Sequence, residues 1–132
     1  MLTLGLIFNR MVNNLPAVFS ALSDQTRFAV VDCLTRNPLS AGELAKRCAA
    51  SAPAMSRHLR VLRKAGVIEV AEPDEEIQDA RLRVYRLRPQ PFHNLAEWAE
   101  RMQAFWQDRL EGFKVHAEGR AAQTASQKRR RR

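Results

Sequence analysis

Apolar residues recur at helical spacing through the first third of the chain. Residues 15–22 and 24–36 each place large apolar side chains three or four positions apart, which predicts two amphipathic helices. The apolar faces of these two helices are predicted to contain Leu15, Val18, Phe19, Leu22, Phe28, Val31 and Leu34. Ser23 is the predicted cap of the second helix, and Asn37-Pro38 ends it.

Residues 51–66 form the most strongly amphipathic segment. At about 100° per residue, Met55, Leu59 and Leu62 fall on one side of a helix. The opposite side carries hydroxyl groups and cations without an acidic residue, and it consists of Pro53, Ser56, Arg57, Arg60 and Lys64. Ser51 is placed to cap this helix and Gly66 to end it. A short helix with one apolar and one basic face suits insertion into a DNA major groove.

A second short helix precedes the basic one. Ser40-Ala-Gly-Glu43 has the form of a capping box, and Leu44 and Ala45 follow it on an apolar face. The connection around residues 49–51 is tight. Two short helices joined in this way form a helix-turn-helix, and the second helix is the one that enters DNA.

A hairpin is predicted after the basic helix. Residues 67–71 form a β-type run, residues 72–76 are polar, and residues 80–87 alternate between apolar and basic side chains. The alternation changes phase at Tyr85, which predicts a bulge. A hairpin directly after a DNA-reading helix is a wing, and Arg81 and Arg83 lie near its base.

A long helix is predicted from about Phe92 to His116, after Pro89 and Pro91. Its apolar stripe is too aromatic for the inner face of so small a domain, and it predicts a subunit interface. The predicted interface residues are Leu95, Trp98, Met102, Phe105, Trp106 and Phe113. From Glu118 onward the chain consists largely of Ala, Gln, Ser and Arg, which predicts disorder.

Three segments together resemble the ArsR-type winged helix-turn-helix repressors. They are Phe19-Ser-Ala-Leu-Ser-Asp-Gln-Thr-Arg27, Leu39-Ser-Ala-Gly-Glu-Leu-Ala45 and Ser51…Ser56-Arg-His-Leu-Arg-Val-Leu-Arg-Lys-Ala-Gly-Val-Ile68. The resemblance implies a mostly α fold with a small β-hairpin wing, assembled as a homodimer through the terminal helices. It divides the chain into an N-terminal extension (1–10), a winged domain with its dimerisation helix (11–116) and a basic, disordered tail (117–132). The segment Phe105-Trp-x-x-Arg-Leu110 is similar to a subgroup without metal sites.

The predicted DNA-contacting residues lie on the basic helix and the wing. They are Ser51, Ala52, Pro53, Ser56, Arg57, Arg60, Lys64, Arg81 and Arg83. Ala52 departs from the family, which often has glutamine there, so one bidentate reader of adenine is replaced by an apolar contact. The wing also departs from it, because Asp74, Glu75, Glu76 and Asp79 would be repelled by phosphates. Either the tip points away from DNA as a solvated loop, or Arg81 and Arg83 at its base make the contacts.

The sequence predicts neither a metal site nor a cofactor. Ser40 and Gly42 stand where one family site has cysteines, and His93 and His116 lie too far apart along a helix to share an ion. Cys33 and Cys48 are expected to pack as small apolar residues, and the alternative of a redox pair requires both thiols within bridging distance. No nucleophile–base pair, phosphate loop or paired-carboxylate motif appears, so no enzyme is predicted.

The charge of the chain fits a nucleic-acid partner. Its 22 basic and 14 acidic residues give a net charge of +8, although five of the cations lie at the C-terminus. The apolar run at residues 1–7 is too short to span a bilayer, and a cytoplasmic protein is expected. We therefore predict a homodimeric repressor that binds double-stranded DNA at a palindromic operator, with an unknown small-molecule effector left open. The alternative is a winged-helix module that binds another protein and does not read DNA.

Overall fold

A computed structural model of the chain describes residues 14–71 and 79–131. Five α-helices, three short strands and one 3-10 turn make up these residues. They are, in chain order, α1 (14–22), α2 (Gln25–Leu34), β1 (Leu39–Ser40), α3 (Ala41–Arg47), α4 (Ala52–Lys64), β2 (Ile68–Val70), a 3-10 turn (Ala80–Leu82), β3 (Val84–Leu87) and α5 (Pro89–Arg130). The predicted extension at residues 1–10 and the acidic wing tip lie outside the described residues.

The first two helices are confirmed, with two corrections in α2. Asp24, not Ser23, is the N-cap, and its carboxylate accepts from the Arg27 amide at 3.0 Å. Ser23 instead donates to the Ser20 carbonyl at 2.6 Å, within the turn that ends α1. Phe28 was predicted to point inward, but 62% of its surface is exposed, because Val30, Val31 and Leu34 provide the buried face of α2.

Helices α3 and α4 form the predicted helix-turn-helix. Ser40 caps α3 by accepting from the Glu43 amide, and Ser51 caps α4 by accepting from the Ala54 amide, each at 3.2 Å. The turn between the helices is a Schellman motif, in which the Ala50 amide donates to the Ala45 carbonyl at 2.9 Å. Ala49 adopts the left-handed conformation that this motif requires, with φ of 51°.

The end of α4 repeats the same motif. The Val67 amide donates to the Leu62 carbonyl and the Gly66 amide to the Arg63 carbonyl, both at 3.0 Å. Gly66 has φ of +78°, a conformation that costs glycine little. The prediction that Gly66 ends this helix is confirmed, and the motif turns the chain directly into β2.

A three-stranded antiparallel sheet stands where a two-stranded hairpin was predicted. Strand β3 lies in the centre, between β1 and β2, and Tyr85 is paired with Leu39 on one side and with Val70 on the other. Residues 80–82 were predicted as strand but form a 3-10 turn capped by Asp79. The apparent phase change at Tyr85 follows from this turn: the strand begins only at Val84, and no bulge is needed to explain it.

One apolar core joins the helix-turn-helix to the sheet. Its most deeply buried large residues come from four elements, since Val18 lies in α1, Val30 in α2, Leu44 in α3, and Met55 and Leu62 in α4. The segment after α4 adds Val67 and Ile68. Because the apolar side of α4 packs into this core, its basic side is directed to solvent.

The chain divides into two compact units, one ending at Leu95 and the other beginning at Ala96. The second unit is the main part of α5, which runs to Arg130 without interruption. We predicted that the helix ends near His116 and that residues 117–132 are disordered, so this boundary is corrected for the described residues. Ala, Gln, Lys and Arg are good helix formers, and no proline follows Pro91.

None of the helices in the described ranges is long and apolar enough to cross a membrane.

Candidate nucleic-acid interface

The exposed side of α4 is built by the amphipathic pattern predicted from the sequence. Met55, Leu59 and Leu62 are buried, whereas the residues at the start of and along α4 that are predicted to face DNA are all exposed. These exposed residues are Ser51, Ala52, Pro53, Ser56, Arg57, Arg60 and Lys64. The structure therefore brings the predicted set together on one surface, which we call the α4 face. No acidic residue belongs to it.

Cations of the α4 face are distinguished by their lack of ionic partners. Within the described ranges, the side chains of Arg57, Arg60 and Lys64 make no hydrogen bond or ion pair, and the nearby Arg83 makes none. Arg86 and Arg88 on the sheet behave differently, since both lie against the Glu69 carboxylate, at 3.0 and 3.8 Å. Unpaired cations on one exposed surface leave their charge available to phosphates.

A basic groove extends the α4 face toward the sheet. A cavity of about 500 Å³ runs between the second half of α4 and β3. Its lining consists of Ser56, Leu59, Arg60, Arg63, Lys64, Arg83 and Tyr85. Four of these seven residues are cationic and none is acidic. Arg63 was missed in the sequence analysis, although its position three residues after Arg60 on the same helix was a usable signal.

Arg81 differs from the other predicted contact residues. Its guanidinium donates to both oxygens of the Asp79 carboxylate, at 3.2 and 3.0 Å. Hydrogen bonding from the Arg81 side chain lowers the pKa of Asp79, and Asp79 in turn raises the pKa of Arg81, so both groups are charged at neutral pH. The prediction treated Arg81 as a free cation, and its pairing with Asp79 reduces what it offers to DNA. Arg83 keeps its charge unpaired among the described residues.

A polar cluster ties the start of α4 to the first two helices. The Arg27 side chain donates to the Ala21 carbonyl at 2.7 Å, and its Nη1 lies 3.4 Å from Nδ1 of His58. The same His58 nitrogen is 3.8 Å from the Asp24 carboxylate. The hydrogen bond from the Arg27 amide lowers the pKa of Asp24. His58 thus links α4 to Arg27 of α2 and to the N-cap residue Asp24, which fixes the orientation of the α4 face.

A second, more apolar cavity lies beside the basic groove and shares Ser56, Leu59, Arg83 and Tyr85 with it. It has a volume of about 420 Å³ and is bounded by α3, the first half of α4 and residues 80–85. We call it the α3–α4 cavity. Its lining consists of Ala41, Gly42, Ala45, Lys46, Ala50, Ala52, Met55, Ser56, Leu59, Ala80, Arg81, Arg83 and Tyr85. Ala52, Ser56, Arg81 and Arg83 belong both to this lining and to the predicted DNA contacts.

The aromatic stripe predicted on the last helix is exposed, with one exception. Trp98, Met102, Phe105, Trp106 and Phe113 are all solvent-exposed, and Leu110 joins them. Phe105 and Trp106 meet edge to face, with ring centroids 5.6 Å apart, and the Arg109 guanidinium lies 4.9 Å from the Phe105 ring centre. Leu95 is the exception: it is half-buried and packs against the core of the first unit, and its assignment to the interface stays a prediction.

The two cysteines lie near each other at the edge of the core. Both are half-buried and free, and both pack against the core cluster. Burial raises the pKa of the Cys48 thiol, and the neighbouring Cys33 thiol raises it further. A thiol with a raised pKa is a poor nucleophile and metal ligand at neutral pH.

Addition of metal ions is expected to leave DNA binding unchanged. Among the described residues, no group of three or more His, Cys, Asp or Glu side chains is arranged to hold an ion. Stoichiometric zinc, cadmium or arsenite added to a preformed DNA complex should therefore not release the protein, as followed by fluorescence anisotropy of labelled DNA. Release by one equivalent of any of these would contradict the prediction.

Comparison with known proteins identifies the helix-turn-helix. A family model described as a helix-turn-helix domain matches residues 22–71, the stretch from the end of α1 to the end of β2. The HTH-type transcriptional regulator Rv2034 of Mycobacterium tuberculosis is 36% identical over 95 residues, which is 72% of this chain and 80% of that protein. The transcriptional repressor SdpR of Bacillus subtilis is 41% identical over 51 residues, 39% of this chain and 57% of the repressor.

Solved structures share both fold and sequence with this chain. An ArsR-like transcriptional regulator from Rhodococcus sp. RHA1 superposes with a TM-score of 0.66 at 34% identity. That match covers 81% of this chain and 93% of the Rhodococcus protein. The similarity therefore extends over nearly the whole of that regulator, well beyond the helix-turn-helix alone.

Proposed function

The chain belongs to the ArsR family of DNA-binding transcriptional regulators, and we propose that it is a repressor that binds a palindromic operator as a homodimer. The observation that carries this proposal is the α4 face, an exposed helix surface whose cations have no ionic partner among the described residues. Ser56 and Arg57 are assigned to base edges. Arg60 and Lys64 are assigned to phosphates, and the groove beside them adds Arg63 and Arg83.

The exposed aromatic stripe of α5 supports the homodimer. A two-fold axis relates two α4 faces to successive major grooves, so the half-sites should lie about 10 bp apart from centre to centre. The first apolar segment, α1, is assigned a supporting part in the same interface. We further propose a cytoplasmic location, because an operator-binding protein works beside the chromosome.

A protein-interaction module is the second candidate, favoured by Ala52 and by the acidic sequence of the wing tip. Ala52 lies on the exposed first turn of α4 and removes a base-reading side chain from it. A mobility shift on the DNA upstream of the protein's own gene separates the two functions. A retarded band that unlabelled operator competes away, and that unrelated DNA does not, supports the repressor.

Arg57→Ala and Lys64→Ala should weaken DNA binding in different ways. Loss of a base contact by Arg57 is expected to cost about 1–3 kcal/mol on the selected operator and little on random DNA. Loss of a phosphate contact by Lys64 should weaken both about equally and lower the salt dependence by about one ion. Arg86→Ala is the matched control, because Arg86 is exposed but already paired with Glu69. Titrations at several salt concentrations measure all three, and an Arg57→Ala protein with wild-type operator affinity would refute the base-reading assignment.

A further inference from the structure

The α3–α4 cavity combines an apolar interior with unpaired polar groups. Its walls carry small side chains where larger ones would fill the space. These small residues are Ala41, Gly42, Ala45, Ala50, Ala52 and Ala80. The buried side chains of Met55, Leu59 and Tyr85 also line it. Its volume of about 420 Å³ lies within the range of small-molecule sites, which is about 300–1,000 Å³.

Tyr85 brings a hydroxyl group to the α3–α4 cavity. Only 6% of its surface is exposed, and its hydroxyl group makes no hydrogen bond to any residue in the described ranges. No buried side-chain oxygen or nitrogen of the described residues lacks a partner, so this unbonded hydroxyl is the accessible end of an otherwise buried side chain. Since Tyr85 lines the cavity, a molecule inside it can accept that hydrogen bond.

The charge of the rim defines the ligand further. Lys46, Arg81 and Arg83 line the cavity, and no acidic residue of the described ranges does. Arg81 is held by Asp79, whereas Lys46 and Arg83 have no partner among the described residues. Two available cations and one hydroxyl donor suit an anion. The apolar walls suit a compact hydrocarbon body, which a DNA phosphate does not have.

We propose that the α3–α4 cavity binds an organic monocarboxylate with a compact apolar body, such as an aromatic acid. The carboxylate meets Arg83, Lys46 and the Tyr85 hydroxyl, and the apolar body lies among the alanines. Occupancy removes Arg83 and Ser56 from DNA and adds a negative charge beside the phosphates, so the ligand releases the operator. This last step rests on the proposed repressor function, whereas binding of the acid does not.

The test uses the full chain and 2-naphthoate, which is ionised at neutral pH and has a fluorescent ring. Isothermal titration without DNA should show one site per protomer. The neutral isostere 2-naphthamide should bind at least about tenfold more weakly, because it lacks the charge that the rim selects. Ala45→Leu should abolish binding by filling the cavity. Arg83→Gln removes a rim cation and should weaken naphthoate about tenfold while leaving naphthamide unchanged, whereas Tyr85→Phe should weaken both, because each carries an oxygen that accepts the hydroxyl hydrogen bond.

Three results would overturn the site. The first is no binding of naphthoate up to about 1 mM, and the second is equal affinity for the acid and the amide. The third is wild-type affinity in Ala45→Leu, which would place the ligand on another surface such as the stripe of α5. If Ala45→Leu fails to fold by circular dichroism, the Arg83→Gln comparison of acid and amide decides. Release of operator DNA by naphthoate is then measured separately. A protein that binds naphthoate and no operator refutes the repressor function and leaves the site standing, whereas an operator complex that saturating naphthoate does not release refutes the competition.

Discussion

Replacement of both Phe105 and Trp106 by alanine is expected to make the protein monomeric and to abolish operator binding. Both rings are exposed on α5, and 61% of the Trp106 surface is accessible. Aromatic anchors of an interface contribute about 2 kcal/mol or more each, so loss of both should weaken the dimer by about a thousandfold. Neither residue is assigned to DNA. Operator affinity should nevertheless fall, because a palindrome requires two α4 faces held at a fixed spacing.

Val115→Ala is the matched control for this double variant. Val115 lies on the same helix and is similarly exposed, at 69%, but it falls about 180° around the helix axis from Trp106 and about 80° beyond Phe105, outside the stripe. Its replacement should change neither the assembly nor the DNA affinity. Sedimentation velocity at micromolar concentration measures the assembly of all three proteins. A monomeric wild type would remove the interface and the palindrome argument together.

Leu62→Ala is expected to destabilise the first unit by about 2–5 kcal/mol, a large part of the stability of a small domain. Leu62 is fully buried on α4 and belongs to the core shared with α1, α2 and α3. Truncation therefore leaves a cavity that these elements cannot close without moving. Because the same helix carries the DNA-contacting residues, operator binding should weaken as the folded fraction falls.

Urea unfolding followed by circular dichroism measures this effect, with Val61→Ala as the control. Val61 is the preceding residue of the same helix, and 41% of its surface is exposed. Its replacement should cost less than about 1 kcal/mol, since little apolar surface is buried there. Equal midpoints for the two variants would contradict the assignment of Leu62 to the core.

The α4 face could be predicted because several local signals coincide on it. Ser51, Gly66 and the spacing of Met55, Leu59 and Leu62 each point to the same helix with the same buried side. The structure confirms all five. Signals of this kind act within one or two helical turns, so they can be read from neighbouring positions in the sequence.

The elements that escaped prediction depend on partners distant in sequence. Strand β1 has two residues, too few for a periodic signal, and it exists because β3 pairs with it from 45 positions away. The pairing of Arg81 with Asp79, two residues away, was predictable in principle. The local sequence does not say, however, that Arg81 rather than the nearby Arg83 takes this carboxylate. Which cation remains available depends on the 3-10 turn, whose backbone directs Arg81 back toward its cap.

The end of α5 was missed for a different reason. Low apolar content was interpreted as disorder, but residues 117–130 are rich in residues with high helix propensity and continue a helix that is already formed. Phe28 shows the opposite error, in which a large apolar side chain was assigned to the core by its spacing alone. Val30 and Val31 occupy that space instead.

The central position of β3 has a consequence for the order in which the molecule folds. Strand β3 pairs with the strand that enters α3 and with the strand that leaves α4, so it closes both ends of the helix-turn-helix. During synthesis, residues 39–70 emerge from the ribosome before β3 exists. The two helices can then form locally, but the sheet that brackets them must wait until Leu87 has emerged. A nascent chain cut short before Val84 contains every base-reading residue and still lacks the strand that holds them in register. The two strands of the β1–β3 pair are far apart in sequence, so the formation of this pair should be the slow, late step of folding.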